Sequence, residues 1–354
     1  MTTPTRILTM VKRGDEVRDK QLQGRDFRGF DLSGGVFSQC DFSRADLSGA
    51  NLDGSVFDQC CLAGANLTGA TVDRCSFNQC EASGVRLNGA SIDDIAFHQG
   101  NLTGADFSGT RAGNLAAFDH CDLGGALFSD VTADMLVFYA CTLERADFSR
   151  TLLTKTTFYQ ADLQSAVFTG CRFDKVIFIE SNLSGQSFRG QQFESCQFTD
   201  ATLKGCDFEG ASLLRCNFKG ALLEGGSLQR VQAQQCLFPS VRMNGVACTG
   251  SVFTQGIWVD AEVERVDFAG ADLEQCIFHR ARCGGANFAE AQLTYADFSY
   301  ADLHDADFRG ATFMRTKMHR ALTEGTRFSD RGGLLPNEPD LFAAEEFSAR
   351  RVPI

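Results

Sequence analysis

The sequence predicts an all-β solenoid, a chain wound into repeated coils around a narrow core. Three observations predict it. Large apolar residues recur every five positions, a small residue stands two before most of them, and a turn-forming residue, often Gly, stands two after. The frame runs Leu22, Phe27, Leu32, Phe37, Phe42, Leu47, Leu52, Phe57 and on to Phe107, and seventeen of these eighteen centres are large and apolar. Phe107 and Phe118 are eleven apart, which places one extra residue near 112–117. The frame then holds from Phe118 to Phe328 over 43 positions, 38 of them Phe, Leu, Met, Val or Trp. Since 29 of the 32 phenylalanines fall on it, the frame is not chance.

Each unit reads Ala-Asp/Asn-Leu/Phe-X-Gly, as in ADLSG (45–49), ANLDG (50–54), ANLTG (65–69) and ADFSG (105–109). Neither common period fits. A helix needs apolar residues three and four apart, and each interior Gly would cost about 1 kcal/mol. A plain strand alternates for longer than three residues. The unit fits a short extended step, with its small and large residues inward, followed by a tight turn where Gly is tolerated.

On these residues the sequence resembles the pentapeptide-repeat family over roughly 20–330. The resemblance implies a right-handed quadrilateral parallel β-helix with four pentapeptides per coil. A 20-residue super-period supports the four-sided coil independently: Phe37, Phe57, Phe77 and Phe97, then Phe118, Phe138, Phe158, Phe178, Phe198, Phe218 and Phe238, then Trp258, Phe278, Phe298 and Met318. Residues 20–330 then make about 15 coils, each rising about 4.8 Å.

Open coil ends would expose core and unpaired backbone, so short terminal caps are expected. Residues 1–19 form the N-terminal cap, with a short helix over 5–13, Thr5 as its N-cap and Ile7, Leu8 and Val11 as its apolar side. Residues 331–354 are a linker followed by a segment, from Pro339, whose Leu341, Phe342 and Phe347 either cap the last coil or pair with a second copy in a homodimer.

Composition excludes several classes. The 45 acidic residues against 33 basic ones give a net charge of −12, which disfavours nucleic-acid wrapping and anionic membranes. No apolar run approaches the roughly 18 residues of a membrane span. Residues 1–12 are too weakly apolar for a secretory signal, so a cytoplasmic protein is expected. Of the 15 cysteines, twelve take the small inward position, Cys248 and Cys283 are centres, and only Cys61 faces out. They read as core filler in a reducing compartment rather than as ligands.

The search for chemistry finds no catalytic, cofactor or metal residues. His98, His120, His279, His304 and His319 show no ligand spacing. Aspartates before centres, such as Asp147, Asp207 and Asp267, are repeat positions suited to bonding turn backbone. An enzyme is not expected. One outward stripe departs from the polar rule: Val137, Tyr139, Tyr159, Ile177 and Ile179, and further along Leu237, Ile257 and Ile277. In-line apolar surface of this kind marks a protein-binding face, although β-branched residues also simply suit a pleated surface. Gln39, Gln59, Gln79 and Gln99 recur at twenty and are expected to form a stabilising amide ladder.

The expected function is a non-enzymatic, rod-like scaffold or adaptor that binds protein partners and takes no cofactor. The resemblance implies settings that include bacterial secretion systems. It also implies two alternatives: a DNA mimic directed at gyrase or topoisomerase, and a secreted effector. Basic residues such as Arg172, Lys175, Arg189, Lys204, Arg215 and Lys219 are interspersed through the repeat, which disfavours the mimic.

Overall fold

A computed structural model describes residues 3–349, which divide at Asn182/Leu183 into two compact units. Each unit is a parallel β-solenoid in which residue i bridges residue i+20, so four five-residue sides complete one turn. The ladder closes through the backbone: Leu47 N donates to Asn66 O at 2.7 Å, and Asn66 N donates to Ala45 O at 2.9 Å. One coil thus satisfies the peptide groups of the next, the requirement that sets the fold.

In the first unit one side of the coils forms a nine-stranded parallel sheet running from Val17–Arg18 to Ile177–Ile179. The extra residue shows as a register change. Phe77 pairs with Phe97 but Phe97 with Phe118, and Arg111 with Thr132. The slack is taken up at Gly113 and Asn114, whose amides donate to the Asp93 carboxylate at 2.5 and 3.2 Å. The second unit pairs Gln192–Glu194 with Ser212–Leu214, continues through single bridges at each side, and ends with Asp307–Phe308 paired to Arg327–Phe328 and Thr316–Lys317 paired to the returning strand Leu334–Leu335.

The core is the predicted frame. Phe57, Phe77 and Phe97 stack at 4.8 and 4.6 Å with planes within 11°. Neighbouring columns meet edge to face, as Phe118 and Phe128 do at 5.7 Å and 87°. The second unit repeats this with Phe278–Phe298 at 4.7 Å and Phe278–Phe288 at 87°. Such pairs add about 0.5–1.5 kcal/mol each beyond area burial. The preference for Asp or Asn before each centre also has its reason: Asp147 Oδ1 accepts from Ser149 N at 2.8 Å, and Asp207 Oδ1 from Glu209 N at 2.9 Å.

Helix α1, Pro4–Lys12, lies before the first coil with Ile7 and Val11 buried and Leu8 half-buried. Its N-cap is Thr3, not Thr5: Pro4 has no amide to give and suits the first helical position, so the cap falls one residue earlier. Helix α2 spans Pro339–Ala349; residues 350–354 of the expected C-terminal segment, and residues 1–2 of the N-terminal one, lie outside the described residues. The two helices are short, and neither is long and apolar enough to cross a membrane.

Candidate interaction surfaces

The nine-stranded side of the first unit presents its outward residues in straight columns, because every strand pairs in register with the next. Tyr139 faces Tyr159, and Tyr159 faces Ile179; beside them Val137, Thr157 and Ile177 form a parallel row. The two tyrosine rings stack at 4.9 Å with planes 10° apart, and Tyr139 is 43% exposed. Met135, just before that strand, adds an exposed apolar side chain. The five residues expected at this stripe are therefore brought together on one side of the unit.

Leu237, Ile257 and Ile277 belong to the second unit, where they bridge one another in order. Leu237 is exposed and the two isoleucines are half-buried. Their column continues into Asp297 and Lys317, so the apolar run ends there.

Polar features of the first unit's sheet side include one that residue spacing did not reveal. Asp119 accepts from His98 Nδ1 at 2.5 Å and His120 Nδ1 at 2.6 Å, joining adjacent coils. The opposing effect of burial does not prevent these two histidines from holding the Asp119 carboxyl below its ordinary range. A register shift of one residue created this pairing, which a strict period of twenty hides. The expected glutamine ladder is present, with Gln39, Gln59, Gln79 and Gln99 linked at 3.3, 3.2 and 3.0 Å. A second ladder, Gln235–Gln255–Gln275, runs along another side of the second unit at 2.9 and 3.1 Å.

Fourteen cysteines are buried and Cys61 is half-buried, the pattern that inward placement requires. Burial pushes Cys75, Cys80 and Cys171 up to about 12. The side-chain hydrogen bond with Cys40, and then burial, push Cys60 up as well. Among the described residues no group of three or more His, Cys, Asp or Glu is placed to hold a metal ion. Every histidine has an acidic neighbour: His98 and His120 share Asp119, His279 has Asp297, His304 has Asp302, and His319 has Glu345.

At the C-terminal end α2 is clasped by one side of the last two coils of the second unit. Arg320 Nε donates to Glu345 at 2.5 Å, and its amino group donates to Glu346 at 2.9 Å. The guanidinium also lies 4.2 Å over the Phe342 ring. Tyr300 OH donates to Glu345, His319 Nε2 faces the same carboxylate at 3.3 Å, and His319 Nδ1 accepts from Glu338 N at 3.1 Å. Next to it a cavity of about 460 Å³ opens between the last coil and the returning strand, lined by Met318, Phe328 and Leu334 among others.

Two family models match: one described as a pentapeptide repeat region at 51–115 and 142–214, the other as pentapeptide repeats at 21–59, 276–313 and 286–330. The chain belongs to the pentapeptide-repeat family. Solved structures similar to this pentapeptide-repeat protein include HetL from Nostoc sp. strain PCC 7120, a protein involved in heterocyst differentiation regulation. It is 20% identical, with 70% of this chain and 92% of HetL covered and a TM-score of 0.20. A pentapeptide repeat protein of the Arabidopsis thaliana thylakoid lumen is 22% identical, with 29% of this chain and 73% of that one covered and a TM-score of 0.22. Full-length QnrB1, a plasmid-mediated fluoroquinolone resistance protein, is 14% identical, with 78% and 100% covered and a TM-score of 0.16. No curated protein matches the sequence.

Proposed function

We propose that this pentapeptide-repeat protein is a non-enzymatic scaffold of a reducing compartment, the cytoplasm, that binds a protein partner through the exposed Tyr139–Tyr159 stack and its apolar neighbours. The stack carries the reading. Two tyrosines in register, continued by Ile179 and flanked by Val137 and Ile177, offer large rigid contact area at little entropic cost. Solvated sheet faces need no such row. The histidines are bound to acidic neighbours on the coils, which supports a binding rather than a catalytic role.

A DNA mimic directed at gyrase is the weaker reading, because outward carboxylates are neutralised in place. Arg28 pairs with Asp26 at 2.7 Å, Arg150 with Asp130 at 2.5 Å and Arg280 with Asp260 at 2.7 Å. A mimic of a polyanion needs those charges unpaired.

The test is a chain carrying Tyr139→Ser, Tyr159→Ser and Ile179→Ser, compared with wild type for thermal melting and for partners retained in pull-downs from its native cell. The expected result is unchanged folding with loss of partner. Retention of every partner by the folded variant refutes the reading. Protection of gyrase in a supercoiling assay would favour the mimic instead.

A further inference from the structure

The His-Arg pair that holds α2 recurs two coils earlier in the second unit, where it meets the coil carboxylates Asp297 and Asp260 instead of a helix. The segment Phe278-His279-Arg280-Ala281 matches Met318-His319-Arg320-Ala321 in type and in repeat position. Arg280 and Arg320 both occupy the left-handed corner, at φ 55° and 52°, so their side chains leave the coil in the same direction. Around Arg320 the structure shows what this pair takes: a helix that lays two carboxylates on the guanidinium and sets its lead-in amide on His Nδ1.

The two places differ in two further ways: Tyr300, which donates to Glu345 at the filled clasp, has Asp260 at its equivalent position, and the residue before each segment differs. Beside the filled clasp stands Lys317, 3.6 Å from Glu338. The equivalent position beside the second clasp is Ile277, which continues into Ile257 and Leu237. A helix lying there would meet apolar surface where α2 meets a charge. Arg280 already holds Asp260 through Nε and one amino group, at 2.7 and 2.8 Å, and its other amino nitrogen has no bond among the described residues. A guanidinium can hold two carboxylates, as Arg320 does with Glu345 and Glu346. The Arg280–Asp260 pair is exposed and so contributes little by itself.

We infer that His279, Arg280 and the Leu237–Ile257–Ile277 stripe form a docking site for an amphipathic α-helix of another protein, one with acidic residues beside its apolar face. The partner's carboxylates take the open edge of Arg280, and its apolar side covers the stripe, adjoining α2. The site rests on the scaffold reading but shares no residue with the Tyr139–Tyr159 stack. Loss of binding here and loss of the tyrosine-dependent partner are therefore separate results.

The test uses the full chain, isotopically labelled, and a lactam-bridged helical peptide with the α2 sequence as probe. Amide shifts are expected at Ile257, Ile277, His279 and Arg280. Affinity is expected to fall at least tenfold with Arg280→Glu or Ile257→Ser in the protein, or with both glutamates of the peptide changed to Lys. Equal binding of the charge-reversed peptide overturns the inference. So do shifts confined to Lys317–Arg320, which would mean the probe merely replaces α2. A dimer that Arg280→Glu dissolves would assign the surface to a second copy, and also overturns it.

Discussion

Gly256 lies against the indole of Trp258: a Cβ at Gly256 would stand 2.9 Å from Trp258 Nε1 and 2.9 Å from Phe253 O. Elsewhere in this inward position the second unit places Cys236 and Cys276, each two residues before a Phe. The larger ring is accommodated, fully buried and stacked 3.9 Å from Phe238, because the small inward residue has been reduced to glycine. Gly256→Ala is expected to destabilise the second unit by about 1–3 kcal/mol through overpacking. Trp258→Phe combined with Gly256→Ala should recover most of that loss. Denaturant melts of the two single variants and the double variant measure the coupling.

The cysteines give a kinetic prediction. With fourteen thiols buried, and Cys75, Cys80 and Cys171 held up at about 12 by burial, the native chain should show one accessible thiol, Cys61, to a thiol-labelling reagent at pH 8. The remaining fourteen should react only on unfolding. Cys61→Ser should abolish the fast phase, and a second fast thiol in that variant would contradict the inward placement of the others.

Inward positions were legible in the sequence because packing repeats with the coil. Phe57, Phe77 and Phe97 must stack if each coil lies on the last, and so they do. The stripe of Val137, Tyr139 and Ile179 was legible for the same reason, since registered strands keep outward columns straight. What broke the period was not legible. The bond from His98 to Asp119 depends on the extra residue near Gly113, and the grip of Arg320 on Glu345 depends on how a non-repeating segment folds back. The corner conformation was also hidden: Gln59, Arg74 and Lys155 take φ near +50° as the glycines do. The hydrogen-bonded ladder holds them where local preference would not.

Gln59 stands in the middle of the first amide ladder, receiving from Gln39 and donating to Gln79 at 3.3 and 3.2 Å. Gln59→Ala keeps a Cβ at the same left-handed corner and removes both side-chain bonds. Because these bonds are exposed, the expected loss is about 1 kcal/mol in total. Gln39→Ala, at the ladder's end, should cost about half as much. Chemical denaturation of both variants checks the ratio; equal effects would mean the ladder is not the source of the stability.

The attachment of α2 should depend on pH, with a sign set by Glu345. The hydrogen bond from Tyr300 and those from Arg320 and His319 lower its carboxyl below the ordinary 4.5. A group whose value is lower when docked than when free stabilises docking above the free value and loses that contribution as the pH falls through the docked one. Glu346 and Phe342 also meet Arg320, and Lys317 lies between Glu338 at 3.6 Å and the coil's Asp297 at 4.0 Å, so apart from Asp297 and the carboxylates of residues 338–349 the partners around the clasp are cationic or neutral. Docking should therefore be complete at pH 6 and weaken below about 4.5, while the coils remain folded. Hydrogen exchange of the 339–349 amides, corrected for intrinsic rate, reads the release directly. Glu345→Gln should show faster exchange at pH 6 and little further change on acidification. Exchange in the wild type that stays independent of pH between 6 and 3 would mean that apolar packing of Phe342, rather than the Glu345 clasp, holds the helix in place.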